Sequence, residues 1–194
     1  EAGSNQLCGE ITPYYFFHPE AHKRIAKLLP KARLIVLLRD PVDRALSQYF
    51  HSKRLGLEPL DLEEALEAEE SRLRGAEKIL VKPDSRHQSH QEHSYLSRSR
   101  YEQQLPNWES KFRPEQMLVL RSEDLFNRSE KTWEVLLEFL DLDPLPLPTL
   151  PKVANAGRGE ASLVSPDIRR WLRAKLKETY CWAADQHNLQ WSKE

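Results

Sequence analysis

ARLIVLLRDPVDRALSQYFHSKR, residues 32–54, is the stretch whose reading decides the fold. Its opening, Leu34-Ile35-Val36-Leu37-Leu38, is a continuous apolar run without polar alternation. That pattern predicts a short strand covered on both faces. The run stops at Arg39-Asp40-Pro41. Asp40 is a good N-cap, and Pro41 suits the first helical position, where an N–H would have no partner. Val42, Ala45, Leu46, Tyr49 and Phe50 then fall near helical spacing, so an amphipathic helix follows, closed by Gly56 as the residue after its end. In open α/β sheets, ligands sit beyond the carboxyl ends of the strands, and helix N-termini there attract anions. Arg39 stands at that edge with a fixed positive charge suited to phosphate or sulfate. The competing use of Arg39 is an ion pair with a local carboxylate such as Asp43.

Upstream, LCGEITPYYFF (residues 7–17) reads as an apolar strand end running into a turn, with Glu10 and Thr12 capping the turn and Pro13 stiffening it. Residues 19–29 read as a helix with Ile25, Ala26, Leu28 and Leu29 inward. Strand, helix and strand in succession predict a right-handed βαβ unit and a parallel sheet. Downstream, Asp61 and Glu64 have capping-box spacing ahead of an apolar face at Leu62, Leu66 and Leu73. The many glutamates there read as a solvated face. Residues 82–100 are polar and read as a mobile lid. They hold His87, His90 and His93, whose spacing is poor for zinc; His93 is the candidate general base among them. Tyr101, Leu105, Trp108 and Phe112 share one helical face, which Pro106 kinks or restarts. Residues 117–120 predict a second buried strand. Ser129 reads as the cap of a helix with Trp133, Leu136, Leu137 and Leu140 on one face, followed by a proline-rich strap. A last helix, capped by Ser165, turns Ile168, Trp171, Leu172, Leu176 and Tyr180 inward.

The chain has 194 residues, enough for one domain over residues 1–194 with a sizeable core. Lys and Arg number 29 against 30 Asp and Glu, so the net charge of −1 gives no overall footprint for nucleic acid. No run approaches the length of a membrane helix, and the first ten residues do not read as a signal peptide. Cys8 and Cys181 supply neither a disulfide framework nor metal spacing; a reducing, cytoplasmic compartment is the expectation, with a single bridge left open. Oligomeric state is not legible.

The residues LIVLLRDPVDRALSQY resemble the 3′-phosphate-binding segment of the sulfotransferases, which use 3′-phosphoadenosine 5′-phosphosulfate (PAPS) as donor. In that family an arginine ends the strand and a serine on the following helix joins it on the donor's 3′-phosphate. Those positions are Arg39 and Ser47 here. Ser47 lies two turns into the helix, roughly 10 Å along, so it would reach a phosphate from the helix side. GEITPYYF resembles a segment upstream of that motif. Glu10 matches it and is carried over as a candidate catalytic carboxylate, whereas Ile11 stands where the glycosaminoglycan branch has a lysine. Residues 94–126 resemble a further stretch, ending in an E-[DE]-L turn. Gly157-Arg158-Gly159 resembles the loop that closes over the donor's phosphates; glycine lets backbone approach an anion, and Arg158 can bind it in a bidentate way.

The resemblance implies a P-loop NTPase-like three-layer α/β/α fold with a mostly parallel sheet. It implies transfer of a sulfuryl group from PAPS to a hydroxyl or amine on a carbohydrate or small metabolite, with no metal required. A glycan enzyme of a eukaryote would instead work in the Golgi lumen. The family's lysine-bearing loop for the 5′-phosphosulfate precedes the GE-x-[ST]-P segment. None of the six glycines here precedes a lysine, and nine residues precede Glu10. The chain is therefore expected to be the C-terminal two-thirds of such a domain. A non-catalytic nucleotide-binding module of the same fold and a kinase-like P-loop enzyme are the alternatives.

Overall fold

A computed structural model describes residues 7–148 and 159–191. In chain order, α1 (Pro13–Phe17) and α2 (Ala21–Leu28) lead into β1 (Leu34–Leu38) and α3 (Pro41–Arg54). Next come α4 (Leu62–Leu73), α5 (Ala76–Leu80), α6 (Gln88–Glu92) and α7 (Leu105–Glu109). They are followed by β2 (Met117–Arg121), α8 (Ser122–Asn127), α9 (Ser129–Leu140), α10 (Pro166–Lys175) and α11 (Lys177–His187). The strands β1 and β2 pair in parallel, with Leu34 opposite Met117 and Leu38 opposite Arg121. Both strands therefore end at one rim, where the chain turns into α3 and α8.

The α/β class and the parallel pairing follow the expectation; the covering of β1 does not. Leu34, Val36 and Leu38 pack with Val119, Leu105, Trp108 and Tyr101. Ile35 and Leu37 remain 41% and 45% exposed. An unbroken apolar run suggested two covered faces, but among the described residues the hydrophobic clusters gather on one side of the sheet. Upstream, residues 13–17 form α1 instead of a strand end. Pro13 starts that helix, and the Trp108 indole N–H donates to the Phe16 carbonyl at 3.2 Å. Leu28 and Leu29, expected inward, are exposed, because α2 ends there and the chain turns toward β1.

The apolar face of α3 forms the largest cluster. Val42, Ala45, Leu46 and Tyr49 meet Ala65 and Leu66 of α4, Tyr95, and Leu172 and Leu176 near the C-terminus. Each fully buried leucine there contributes about 1.5–3 kcal/mol. Leu176 breaks the predicted last helix into α10 and α11, and Trp171 is turned outward. Pro106 restarts the helix as α7 after a 3-10 turn over Tyr101–Gln103.

Two expectations about polar residues are corrected. The second half of the segment proposed as a lid is packed in place: His90, His93, Ser94, Tyr95 and Ser99 are buried, while Lys82, Pro83, Asp84 and Arg86 are exposed. Nor are all the glutamates solvated. Glu69 of α4 accepts the backbone N–H groups of Leu96 (2.7 Å) and Ser97 (2.8 Å), together with the Ser97 hydroxyl. Glu58 is buried against Arg72 and Tyr95. Charge count cannot separate such residues from surface ones, because the partners are backbone amides and a tyrosine far along the chain. Glu69→Ala leaves two amides without an acceptor and is expected to lower stability by about 2 kcal/mol. Urea denaturation checks this as a lower midpoint at unchanged slope.

Candidate anion-binding site at the strand rim

The rim is built on the turn from β1 to α3. Leu38 is buried, and Arg39 immediately after it is exposed. The Asp40 carboxylate caps α3, accepting the N–H groups of Val42 (2.9 Å) and Asp43 (3.0 Å), while the Arg44 N–H donates to the Asp40 carbonyl at 2.8 Å. Pro41 has no N–H to give. The helix start is thus already satisfied by the chain's own groups. Asp40 is the cap that its position predicts, and the binding of an anion falls to side chains.

Two arginines end or follow the paired strands at this rim, and their fates differ. Arg121 is committed to Asp124 through contacts of 2.9 and 2.6 Å, and it also donates to the Gln190 carbonyl. Arg39 has no hydrogen bond or ion pair from its side chain to any described residue. The local partner considered for it, Asp43, is taken by Arg169 at 3.0 Å. Positive charge around Arg39 is reinforced by Arg44, whose Nε donates to Ser99 Oγ (2.6 Å) and whose other nitrogens reach the Ser94 and Tyr95 carbonyls. Burial lowers the Arg44 pKa to about 10, and repulsion from Arg98 and Arg39 adds to that shift. It stays protonated at neutral pH.

The backbone of this turn is held from three directions. Tyr101 donates to the Arg39 carbonyl at 2.9 Å. The Asp40 N–H donates to Glu123 Oε1 at 2.9 Å. Tyr180 donates to the Asp40 carboxylate at 2.9 Å, and Arg173 lies over the Tyr180 ring at 4.1 Å. Burial is the main influence on Asp40 and pushes its carboxyl up, against the hydrogen bonds that favour its charged form. Burial likewise pushes the Tyr101 and Tyr180 hydroxyls up, so both remain donors. Sequence reading placed Tyr101 and Tyr180 in the core, which is correct for their rings. It missed that their hydroxyls converge on the RDP turn, since nothing in a periodic pattern marks which buried aromatic needs its oxygen. Glu123 was legible only as part of the E-[DE]-L turn.

Ser47 is half-buried on α3, and no hydrogen bond of its hydroxyl occurs among the described residues. It shares a helical stripe with Asp43, Phe50 and Arg54. That stripe receives the 3-10 turn Glu160–Leu163 through Arg54–Glu160 (3.4 Å) and through Phe50 and Ala161 in the core cluster. Arg169 bridges the same two elements, donating to the Ala161 carbonyl at 3.1 Å. Gly159 opens that turn at φ 85°, a left-handed conformation in which any side chain would be strained. The chain leaving the candidate glycine loop is thereby carried to the helix face that holds Ser47. Gly157 and Arg158 lie outside the described residues.

The two candidate catalytic residues sit apart from this cluster. Glu10 is exposed ahead of α1, where it accepts the hydroxyls of Thr12 (2.8 Å) and Tyr15 (2.9 Å); no contact joins it to Arg39, Ser47 or Gly159 among the described residues. His93 is buried and donates from Nε2 to the Leu57 carbonyl at 3.0 Å, beyond the far end of α3. Its ring thus faces the C-terminal end of α3, and no contact joins it to Arg39 or Ser47 among the described residues. The histidine that meets a hydroxyl is His90, whose Nδ1 pairs with the Tyr14 hydroxyl at 2.8 Å and whose ring stacks on Phe17. Burial lowers its pKa to about 3, leaving it neutral. Among the described residues no group of three or more metal-binding side chains gathers, and both cysteines are free and exposed. Among the described residues no helix is long and apolar enough to cross a membrane.

The sulfotransferase domain family matches residues 16–180. Over 146 residues, 75% of this chain, the sequence is 25% identical to the bifunctional heparan sulfate N-deacetylase/N-sulfotransferase 1 of Caenorhabditis elegans, of which the match covers 16%. A shorter match, 49% identical over 49 residues, links it to the membrane-associated sulfotransferase kil1 of Dictyostelium discoideum, covering 25% of this chain and 10% of that protein. The crystal structure of a sulfotransferase from Alicyclobacillus acidocaldarius superposes with a TM-score of 0.69 at 24% identity, over 92% of this chain and 63% of that one. The chain thus spans a small part of the length of these curated relatives. The shared fold is P-loop NTPase-like, here mostly helical around a parallel two-stranded sheet.

Proposed function

The chain belongs to the sulfotransferase domain family, and on that premise we propose that it serves transfer of a sulfuryl group from PAPS to a hydroxyl or amine. Arg39 and Ser47 hold the 3′-phosphate of the donor in this reading, and Gly157-Arg158-Gly159 closes over its phosphates. The observation that carries it is the contrast at the rim: Arg121 is neutralised by Asp124, while Arg39 has no carboxylate partner among the described residues. An exposed guanidinium at the carboxyl end of a strand, leading into the helix that carries Ser47, suits a dianionic phosphate.

In the transfer, the acceptor oxygen or nitrogen forms a bond to sulfur as the bond from sulfur to the bridging oxygen of the donor breaks. The electron pair leaves with 3′-phosphoadenosine 5′-phosphate (PAP), and the acceptor's proton goes to a base. Positioning and charge stabilisation carry such a step, as in phosphoryl transfer. The relative named for heparan sulfate supports a glycan as acceptor.

Two measurements test the proposal. Calorimetry with PAP is expected to show saturable binding, and labelled PAPS is expected to pass its label to oligosaccharides bearing free amines or hydroxyls. Binding without transfer to any acceptor would identify a nucleotide-binding module of the same fold. Absence of binding would overturn the assignment of the rim.

A further inference from the structure

We propose that Glu123 is a positioning residue for the anion site, setting the direction of Arg39 through the peptide that follows it without touching the anion. The inference rests on the reading of Arg39 as the anion's partner. The peptide between Arg39 and Asp40 is a rigid plane. Its carbonyl accepts from the Tyr101 hydroxyl and its N–H donates to Glu123 Oε1, each at 2.9 Å. Holding both ends of the plane fixes the backbone from which the Arg39 side chain departs. Glu123 Oε2 in turn accepts the Trp191 indole N–H at 3.0 Å, and Trp191 packs edge-on against Tyr180. Each carboxylate oxygen therefore has its own donor, and the residue cannot swing without losing one of them.

Charge makes this role separable from any other. A carboxylate beside a site for an anion opposes binding electrostatically. If Glu123 acted through its charge alone, removing it would tighten binding. If it acts by position, removing it weakens binding despite the gain in charge. Glutamine refines the distinction. Its single oxygen can serve only one of the two donors, and its NH2 then faces the other. With Trp191 replaced by phenylalanine, that second donor is gone, and the glutamine oxygen is free to take the Asp40 N–H.

The probe is PAP, titrated by calorimetry at fixed salt into the parent chain, Arg39→Ala, Glu123→Ala, Glu123→Gln and the double variant Glu123→Gln/Trp191→Phe, with melting temperatures alongside. Glu123→Ala is expected to weaken binding about tenfold, as for loss of one well-placed hydrogen bond. Glu123→Gln is expected to weaken it as well, and the double variant to recover most of the loss although it also lacks the carboxylate. Affinity at or above the parent in Glu123→Ala overturns the proposal, as does a drop in melting temperature without a drop in affinity. Should the alanine variant not fold, the glutamine pair decides: an unimpaired single variant, or a double variant no better than the single, overturns it. Loss of binding in Arg39→Ala with none in the Glu123 variants removes this inference alone. Unchanged binding in Arg39→Ala removes the anion site itself.

Discussion

Replacing Arg39 by alanine is expected to weaken PAP binding by about 2–4 kcal/mol, roughly 30- to 900-fold in Kd. The size follows from how little else among the described residues of the rim is free to share the task. The first amides of α3 are taken by Asp40, and Arg121 is taken by Asp124. Arg44 contributes positive charge, but its hydrogen bonds are spent on Ser99 and two carbonyls. Ser47 offers one hydroxyl, a contact worth about 1 kcal/mol. Arg39→Lys keeps the charge and loses the planar fork, so it should fall between the parent and the alanine variant. Thermal stability should hardly change, because the Arg39 side chain makes no ion pair or hydrogen bond to the described residues that its removal could break. Calorimetry and a melting curve on the same preparation check both halves. An alanine variant that binds PAP as the parent does would end the assignment.

The largest expected loss of stability lies elsewhere, at Glu58. Its side chain is fully buried, and it meets Arg72 at 2.6 and 3.1 Å, the Tyr95 hydroxyl at 2.6 Å and the Leu60 N–H at 2.9 Å. Glu58→Ala strands a guanidinium, a buried phenol and an amide together. The expected cost is about 3–5 kcal/mol. The same pair sets a pH dependence. Burial is the largest influence on the Glu58 carboxyl and would raise its pKa, but the hydrogen bonds from Arg72, Tyr95 and Leu60 together outweigh it and bring the value from 4.5 down to about 2. A carboxyl that holds its proton less readily in the fold than in the unfolded chain favours the folded state once it is ionised. This contribution is complete above about pH 4.5 and is lost as the pH falls toward 2. Arg72 stays protonated throughout. Urea midpoints measured between pH 7 and pH 3 should fall more steeply for the parent than for Glu58→Gln, which has no carboxyl to titrate. Parallel slopes would show that Glu58 is not the group responsible.

The strand–turn–helix unit was legible because its signals are local: an apolar run, a capping aspartate, a proline at the first helical position and a 3.6-residue spacing. The same holds for Ser165 ahead of α10, whose hydroxyl accepts the Ile168 N–H. What was not legible depends on contacts between distant parts of the chain. Ile35 and Leu37 carry the same apolar signal as Val36, yet the helices gather on the other side of the sheet. His87, His90 and His93 look alike in sequence. Their environments part them: His90 meets Tyr14, and His93 meets the Leu57 carbonyl. Residues 82–100 read as a lid from polarity alone, because hydroxyls and imidazoles buried by backbone partners are polar too. At the rim, Arg39 could be named from its position. That it lacks a carboxylate partner while Arg121 has one could be seen only once Asp43 had met Arg169 and Asp124 had met Arg121.

The parallel pairing of β1 with β2 also governs the order in which the molecule can assemble. Leu34 must find Met117, a closure of 83 positions along the chain. Bringing such distant segments together costs loop entropy before any pairing repays it, so contacts of this span form late. Helix α3 and its cap can form early, from neighbours in sequence. Glu123 cannot grip the Arg39–Asp40 peptide until the two strands have met. The arrangement at the rim is therefore a property of the finished fold, and a nucleotide that binds only there draws the chain toward its last folding step.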